Sequence, residues 1–266
     1  MHIPASLTIA GSDCSAGAGL QADLKTFQHF RTYGLTAATC VVSETAHIVR
    51  LVHPVPVDVV IDQISLLLDS FPVAAAKTGM LFSAAHVRAT AALLAENPDL
   101  PLVVDPVMVS STGDPLLQQD AIAAYRETLL PLATVITPNL PEAEVLLDRK
   151  IATAADLEPA ARELAATFHT AVLLKGGHLD QAECLDLLVA GGEIHHFATP
   201  RIATPASHGT GCTLSAAIAA NLAHGKPLAE AVAIAKDYIN RALRESLTFA
   251  AADYPTIHAL NQGTTL

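Results

Sequence analysis

Six short apolar runs recur along the chain, spaced to leave room for a helix between them, and most of them stop at Gly, Pro, Asp or Asn. The runs are SLTIAG (6–11), LTAATCVV (35–42), VAAAKTG (73–79), PLVVDPV (101–107), TVITP (134–138) and AVLLKGG (171–177). Helical patterns fall near 18–30, 56–70, 83–96, 116–129, 140–148 and 155–168. Such alternation predicts β-α-β units around a mostly parallel sheet. Runs that are apolar throughout predict a sheet buried on both faces. The endings are Gly11, Gly79, Asp105–Pro106, Pro138–Asn139 and Gly176–Gly177. Open α/β sheets bind ligands beyond the carboxyl ends of their strands, so the endings predict one shared crevice.

After Gly177 the pattern changes. ECLDLLVAGGEIHHFATP (183–200) reads as an antiparallel hairpin around Gly191–Gly192. Two helices are expected to close the chain, from about Thr210 to Ala223 and from about Pro227 to Leu247. No repeat, low-complexity tract or linker interrupts the pattern, so the expectation is one α/β domain over residues 1–266.

Composition removes several function classes. With 51% hydrophobic and 15% charged residues the chain is globular rather than disordered. The net charge is −11, and no Lys/Arg cluster or stripe is present, which argues against a nucleic-acid partner. The four cysteines form no C-x-x-C pair, so neither a thiolate zinc site nor a disulfide framework is expected. MHIPASLTIAG has no basic start and no cleavage site, and the helix candidates fall short of a membrane span. The expectation is a cytoplasmic protein with no membrane partner.

Chemistry concentrates at the strand ends. GSDCSAGAGLQADLKTF (11–27) is a Gly-rich strand–helix turn, with Asp13 a candidate to hold a substrate hydroxyl or ring. Asp105 stands at a strand end, where a carboxylate can position Mg²⁺ or water, or cap a turn. Asn139 and Glu142 stand three apart at a helix start, which is a capping box, or, beside Asp105, an organiser of metal and phosphate. Lys175 ends a buried strand and needs an anion, either a triphosphate or a neighbouring carboxylate. Gly209, Thr210, Gly211 and Cys212 open a helix in SHGTGCTLSAAIAANL (207–222). Free N–H groups and the helix dipole would favour an anion there. The same helix end would lower the Cys212 thiol pKa, making it a base or reactive thiol; the alternative is a small buried side chain closing the turn.

In this order, LTIAGSDCSAGAGLQADLKTF, AAKTGML, DPVM with STGDPLL, ITPNLPEAEVLL, LLKGGH and SHGTGCTLSAAIAA resemble the hydroxymethylpyrimidine/phosphomethylpyrimidine kinases of the ribokinase-like superfamily. The resemblance spans most of the chain, and the cysteine-type pyridoxal kinases are a closely similar branch. It implies a three-layer α-β-α sandwich with a central mostly parallel sheet and a small antiparallel hairpin. It also implies ATP- and Mg²⁺-dependent phosphorylation of a hydroxymethyl group on a heteroaromatic ring, a second phosphorylation of the monophosphate, and a homodimer.

Carried over residue by residue, the resemblance makes Gly209–Cys212 the anion hole with Cys212 as base. Asp105, Asn139 and Glu142 become the Mg²⁺/phosphate network, with Asp105 and Glu142 on the metal. Lys175 and Gly176 fall on the nucleotide side, and Lys236 near the adenine. Gly11, Asp13, Glu44, Met80 and Val107 form the substrate pocket.

The chain departs from the family pattern in three places. Glu44 fills the usual Gln slot, within SETAH. SSTGD (110–114) lacks a usual lysine, and Ala16 replaces a usual Gly. A 4-aminopyrimidine offers an amino donor beside a ring-nitrogen acceptor, and an ionised Glu can only accept. Glu44 would therefore hold a proton or meet a protonated ring. Pyridoxal/pyridoxine kinase is the rival reading, with Glu44 and His47 as the residues that bear on it, and a non-catalytic binding protein is a third. Residues 44–55 are a candidate flap.

Overall fold

The computed structural model describes residues 3–108, 119–177 and 182–263. The elements run β1 (Ala5–Asp13), α1 (Gly19–His29), β2 (Tyr33–Thr45), β3 (Ile48–Pro54), α2 (Val57–Ser70), β4 (Val73–Thr78), α3 (Ala84–Ala95) and β5 (Leu102–Val104). They continue with α4 (Gln119–Ala124), β6 (Val135–Ile136), α5 (Leu140–Leu147), α6 (Leu157–Phe168), β7 (Ala171–Lys175), β8 (Glu183–Ala190), β9 (Glu193–Pro200), α7 (Thr210–Ala223), α8 (Leu228–Arg244), β10 (Leu247–Ala251) and β11 (Tyr254–Ala259). One nine-stranded sheet has the order β3-β2-β1-β4-β5-β6-β7-β8-β9, and β10 and β11 pair separately.

The strands from β2 through β1, β4, β5 and β6 to β7 are parallel. The period of two along each strand sorts their side chains into two cores. Val104, Ile136, Val172 and Leu174 pack in the core that holds residues of α2, α3, α5 and α6. Val103, Val135 and Leu173 pack in the other, with residues of α7 and α8 and Phe27 of α1. Helices thus cover both faces of a mostly parallel sheet, which is the three-layer ribokinase-like sandwich. Apolar residues in both registers are what such a doubly covered sheet requires.

The 183–200 hairpin forms as expected, as β8 and β9, and β8 pairs antiparallel with β7, so the hairpin extends the main sheet. Two expectations need correction. Residues 44–55 are not a loop: β3 pairs antiparallel with β2, with Glu44 opposite Val49. The last helix stops at Arg244 rather than Leu247. Its helical period breaks at Glu245–Ser246, and Leu247, Phe249 and Ile257 follow strand periodicity into β10 and β11. Two features lie outside the described residues: the SSTGD segment (110–114) with the start of the 116–129 helix, and the His178 of LLKGGH.

Candidate active site

β2 and β4 flank β1 on opposite sides, although β1 leads by α1 into β2. The strand order therefore reverses at β1, and a crevice opens at the carboxyl ends of the strands there. A cavity of about 1120 Å³ occupies it. That volume suits a nucleotide together with a small ring compound. Its walls come from strand ends (Gly11, Glu44, Met80, Asp105, Val107, Asn139, Lys175), from Glu142, and from the start of α7 (Gly209 to Cys212). With Lys236, thirteen of the residues expected from the sequence thus meet around one space.

The start of α7 is built on two glycines. Gly209 caps the helix at φ +80, and a Cβ there would collide with the carbonyl of Gly17. A Cβ on Gly211 would lie 3.3 Å from both Asp105 Oδ2 and Lys175 Nζ. Their absence lets the helix start close over the Asp105–Lys175 pair. The Thr210 N–H is committed to the Ser207 carbonyl, so it is not free for a ligand as expected. The N–H groups of Gly211 and Cys212 lie in the first turn, where a helix offers no acceptor.

Beneath this turn Asp105 accepts from Lys175 Nζ at 3.1 Å and Thr137 Oγ1 at 3.1 Å, with Ser215 Oγ at 3.4 Å. The buried-strand lysine has its carboxylate. Asn139 and Glu142 do form a reciprocal capping box: the Glu142 N–H donates to Asn139, and the Asn139 N–H donates to Glu142. Glu142 is nevertheless at the cavity wall, and burial pushes its carboxyl up, against the attraction of Lys175. Among the described residues no three His, Cys, Asp or Glu side chains group to hold a metal by themselves. Two hard carboxylates at the wall of one cavity still fit Mg²⁺, which takes one or two carboxylates and fills its shell from phosphate and water.

Cys212 lines the cavity, but its thiol is not acidified. Burial drives it up to about 11, outweighing the pull of the Lys77 ammonium and of the nearby Gly19 N–H. The expectation of a lowered pKa is thus wrong for the unliganded chain, because desolvation exceeds the field of the helix end.

Asp13 also differs from expectation. Its two oxygens accept from the Ser15, Gly17 and Ala18 N–H groups and the Ser15 hydroxyl, and it pairs with His208 Nε2 at 2.9 Å. Burial raises its carboxyl, but the hydrogen bonds from His208, Ser15 and Ala18 overcome this and hold it at about 2. It organises the 13–18 turn and positions His208 rather than presenting itself to a substrate. In the same turn Ala16 sits at φ +59, which explains why glycine suits that position.

Glu44 is half-buried at the cavity wall, and burial, reinforced by Asp13, raises its carboxyl. His47 lines the cavity and pairs with the Thr256 carbonyl. Gly177, rather than Gly176, faces the cavity; the Gly176 N–H donates to Asp186. Lys236 lines the cavity while pairing with Asp186 at 2.6 Å. Sequence reasoning passed over His208, Asp186 and the buried Lys77–Asp23 pair. The available signal was a charge inside an apolar run, as in VAAAKTG and ECLDLLVA.

A family model described as phosphomethylpyrimidine kinase matches residues 13–257. The chain belongs to the phosphomethylpyrimidine kinase family. Membership makes it a kinase rather than a binding protein on the same fold. One relative is the hydroxymethylpyrimidine/phosphomethylpyrimidine kinase of Haemophilus influenzae, 43% identical, covering 95% of each chain. Another is a thiamine biosynthesis bifunctional protein of Geobacter sulfurreducens, also 43% identical over 96% of this chain; the chain spans about half (52%) of that protein. Among solved structures, an ADP complex of Bacillus subtilis pyridoxal kinase is similar at TM-score 0.88 and 38% identity, covering 98% of each chain. The pyrimidine kinases and pyridoxal kinases therefore share this fold.

Proposed function

We propose that the chain transfers the γ-phosphoryl group of ATP to the hydroxymethyl oxygen of 4-amino-5-hydroxymethyl-2-methylpyrimidine, and then phosphorylates the monophosphate, in thiamine diphosphate synthesis. The observation that carries this reading is the stacking of a glycine-built helix start over Asp105, Lys175 and Glu142 in one cavity with Glu44 and Met80. The names of the family and its relatives support the substrate, and the ADP-bound neighbour supports the nucleotide. We also take the chain to be a single cytoplasmic kinase domain acting as a homodimer. No helix among the described residues is long and apolar enough to cross a membrane.

Phosphoryl transfer needs in-line placement and charge neutralisation more than covalent chemistry. Lys175 and the N–H groups of Gly211 and Cys212 supply fixed positive ends for the transferred group. Mg²⁺, held by Asp105 and Glu142 with the nucleotide phosphates, would neutralise phosphate charge. Gly11, Glu44, Met80 and Val107 hold the ring so that its alcohol faces the start of α7. Cys212 accepts the hydroxyl proton as the O–P bond forms and the P–O bond to ADP breaks, with Lys236 toward the adenine. The base form is the thiolate, which burial disfavours in the unliganded chain.

The test is ATP consumption with the pyrimidine, its monophosphate, pyridoxal, pyridoxine and ribose. Turnover of both pyrimidines is expected. Pyridoxal or pyridoxine turnover alone would favour the vitamin B6 reading, which the Glu44 carboxyl in the ring pocket keeps in view. Cys212→Ser should cut turnover by about two to four orders of magnitude with unchanged unfolding, the range of a positioned general base; near-normal turnover would remove Cys212 as base.

A further inference from the structure

Lys77 and Asp23 form an ion pair at 2.8 Å, with both side chains 0% exposed. The pair spans three elements. Lys77 rises from β4, Asp23 comes from α1, and Thr8 of β1, opposite Lys77 in the sheet, donates its hydroxyl to Asp23 at 2.6 Å. Replacing such a pair by apolar residues of similar volume often costs nothing or stabilises. Holding β1, β4 and α1 together therefore does not account for it.

Its location does. The start of α7 abuts the start of α1, where a Cβ on Gly209 would lie 3.2 Å from the Ala18 Cα, and Asp23 lies in the next turn of α1. The Lys77 ammonium extends along β4 toward its carboxyl end, where a Cβ on Gly79 would lie 3.0 Å from it. The pair thus sits about one helical turn below the start of α7, which carries Cys212.

We propose that Lys77 is a positioning residue for the Cys212 thiolate: anchored by Asp23, its ammonium supplies the fixed positive field beneath α7 in which the thiol gives up its proton. This rests on Cys212 being the base. The charged groups facing the thiol are Lys77 from β4, Asp23 from α1, Asp105 after β5 and Lys175 from β7. Lys175 is tied to Asp105 at the cavity wall, whereas Lys77 is sealed. After burial, which opposes ionisation, Lys77 exerts the largest influence on the thiol, ahead of the opposing Asp23 and Asp105.

The measurement is the rate of iodoacetamide alkylation of Cys212 against pH in the unliganded protein, read from the mass of the peptide that carries it. The double variant Lys77→Met/Asp23→Asn removes both charges and leaves none unpaired. It should slow alkylation on the order of tenfold at a pH below the thiol's midpoint, one pKa unit upward. The rising limb of the kcat/KM profile, which reports the base, should move to higher pH in the same variant. Asp23→Asn alone keeps the cation without its counter-ion and should speed alkylation. A merely structural pair would give changes of one sign in both variants.

An unshifted profile in the double variant overturns the proposal. If that variant does not fold, unchanged or slower alkylation in Asp23→Asn overturns it. Either result leaves the base assignment standing, because only near-normal turnover of Cys212→Ser removes the base, and the role of Lys77 with it.

Discussion

Two lysines stand at or next to the carboxyl ends of parallel strands of the same sheet, and each has an aspartate. Lys77 and Asp23 are 2.8 Å apart with both side chains fully enclosed. Lys175 and Asp105 are 3.1 Å apart, with the lysine 14% exposed on the cavity. The chemistry is the same and the access differs. A sealed pair cannot exchange its partner, so it acts as a constant field. An open pair can trade part of its mutual attraction for an arriving phosphate. The sheet thus carries a fixed charge below the start of α7 and an exchangeable one beside it.

The sharpest way to break this contrast is to remove each ammonium in turn. Lys77→Met strands a buried carboxylate and should cost about 3–5 kcal/mol of stability, read from the denaturant midpoint. Lys175→Met leaves Asp105 with Thr137 and Ser215 and an outlet to the cavity, so its stability loss should be smaller. Its loss of turnover should instead be about 10²–10³-fold, as for a donor that meets charge developing in the transition state. Equal stability losses in the two variants would end the distinction between sealed and open pairs.

The same contrast explains what was legible beforehand. Strand endings follow from local chemistry, and Gly11, Asp105, Asn139, Lys175 and Gly209–Cys212 can be read in sequence because each sits at a break in an apolar period. Lys175 shows the reasoning at its best: a charge ending a buried strand demands an anion, and Asp105 supplies it from 70 residues away. Lys77 obeys the same rule but lies inside its run, two residues before Gly79, where the apolar reading of VAAAKTG absorbs it. Asp13 shows the opposite error. Its position is right, but the five contacts that occupy it arise from a turn and from His208, 195 residues away, which no local pattern reveals. The β3 edge and the β10–β11 ribbon were missed for a related reason: short alternating segments beside charged residues resemble loops or a continuing helix.

A second pair at the ring end of the cavity gives the smallest but most specific effect. Asp13 and Glu44 both face His208, yet their surroundings drive them apart. Asp13, surrounded by donors, is held at about 2 and stays ionised. Glu44 is raised by burial and by the negative charge of Asp13, so it keeps a proton to higher pH than an ordinary glutamate. Environments that split two carboxyls in this way assign them different tasks. A protonated Glu44 can donate to a ring nitrogen with one oxygen and accept from the 4-amino group with the other, as glutamine would. Its ionised form can only accept. The sign follows: KM for the pyrimidine should be lowest at the acid end and rise as pH climbs through the raised Glu44 pKa. Glu44→Gln should flatten that dependence, with KM at alkaline pH about tenfold below that of the parent, the worth of one mismatched charged hydrogen bond. Turnover at saturation should change little, because the contact is made equally in ground and transition states. A KM that keeps its pH dependence in Glu44→Gln would place the titrating group elsewhere and leave Glu44 as a wall of the pocket alone.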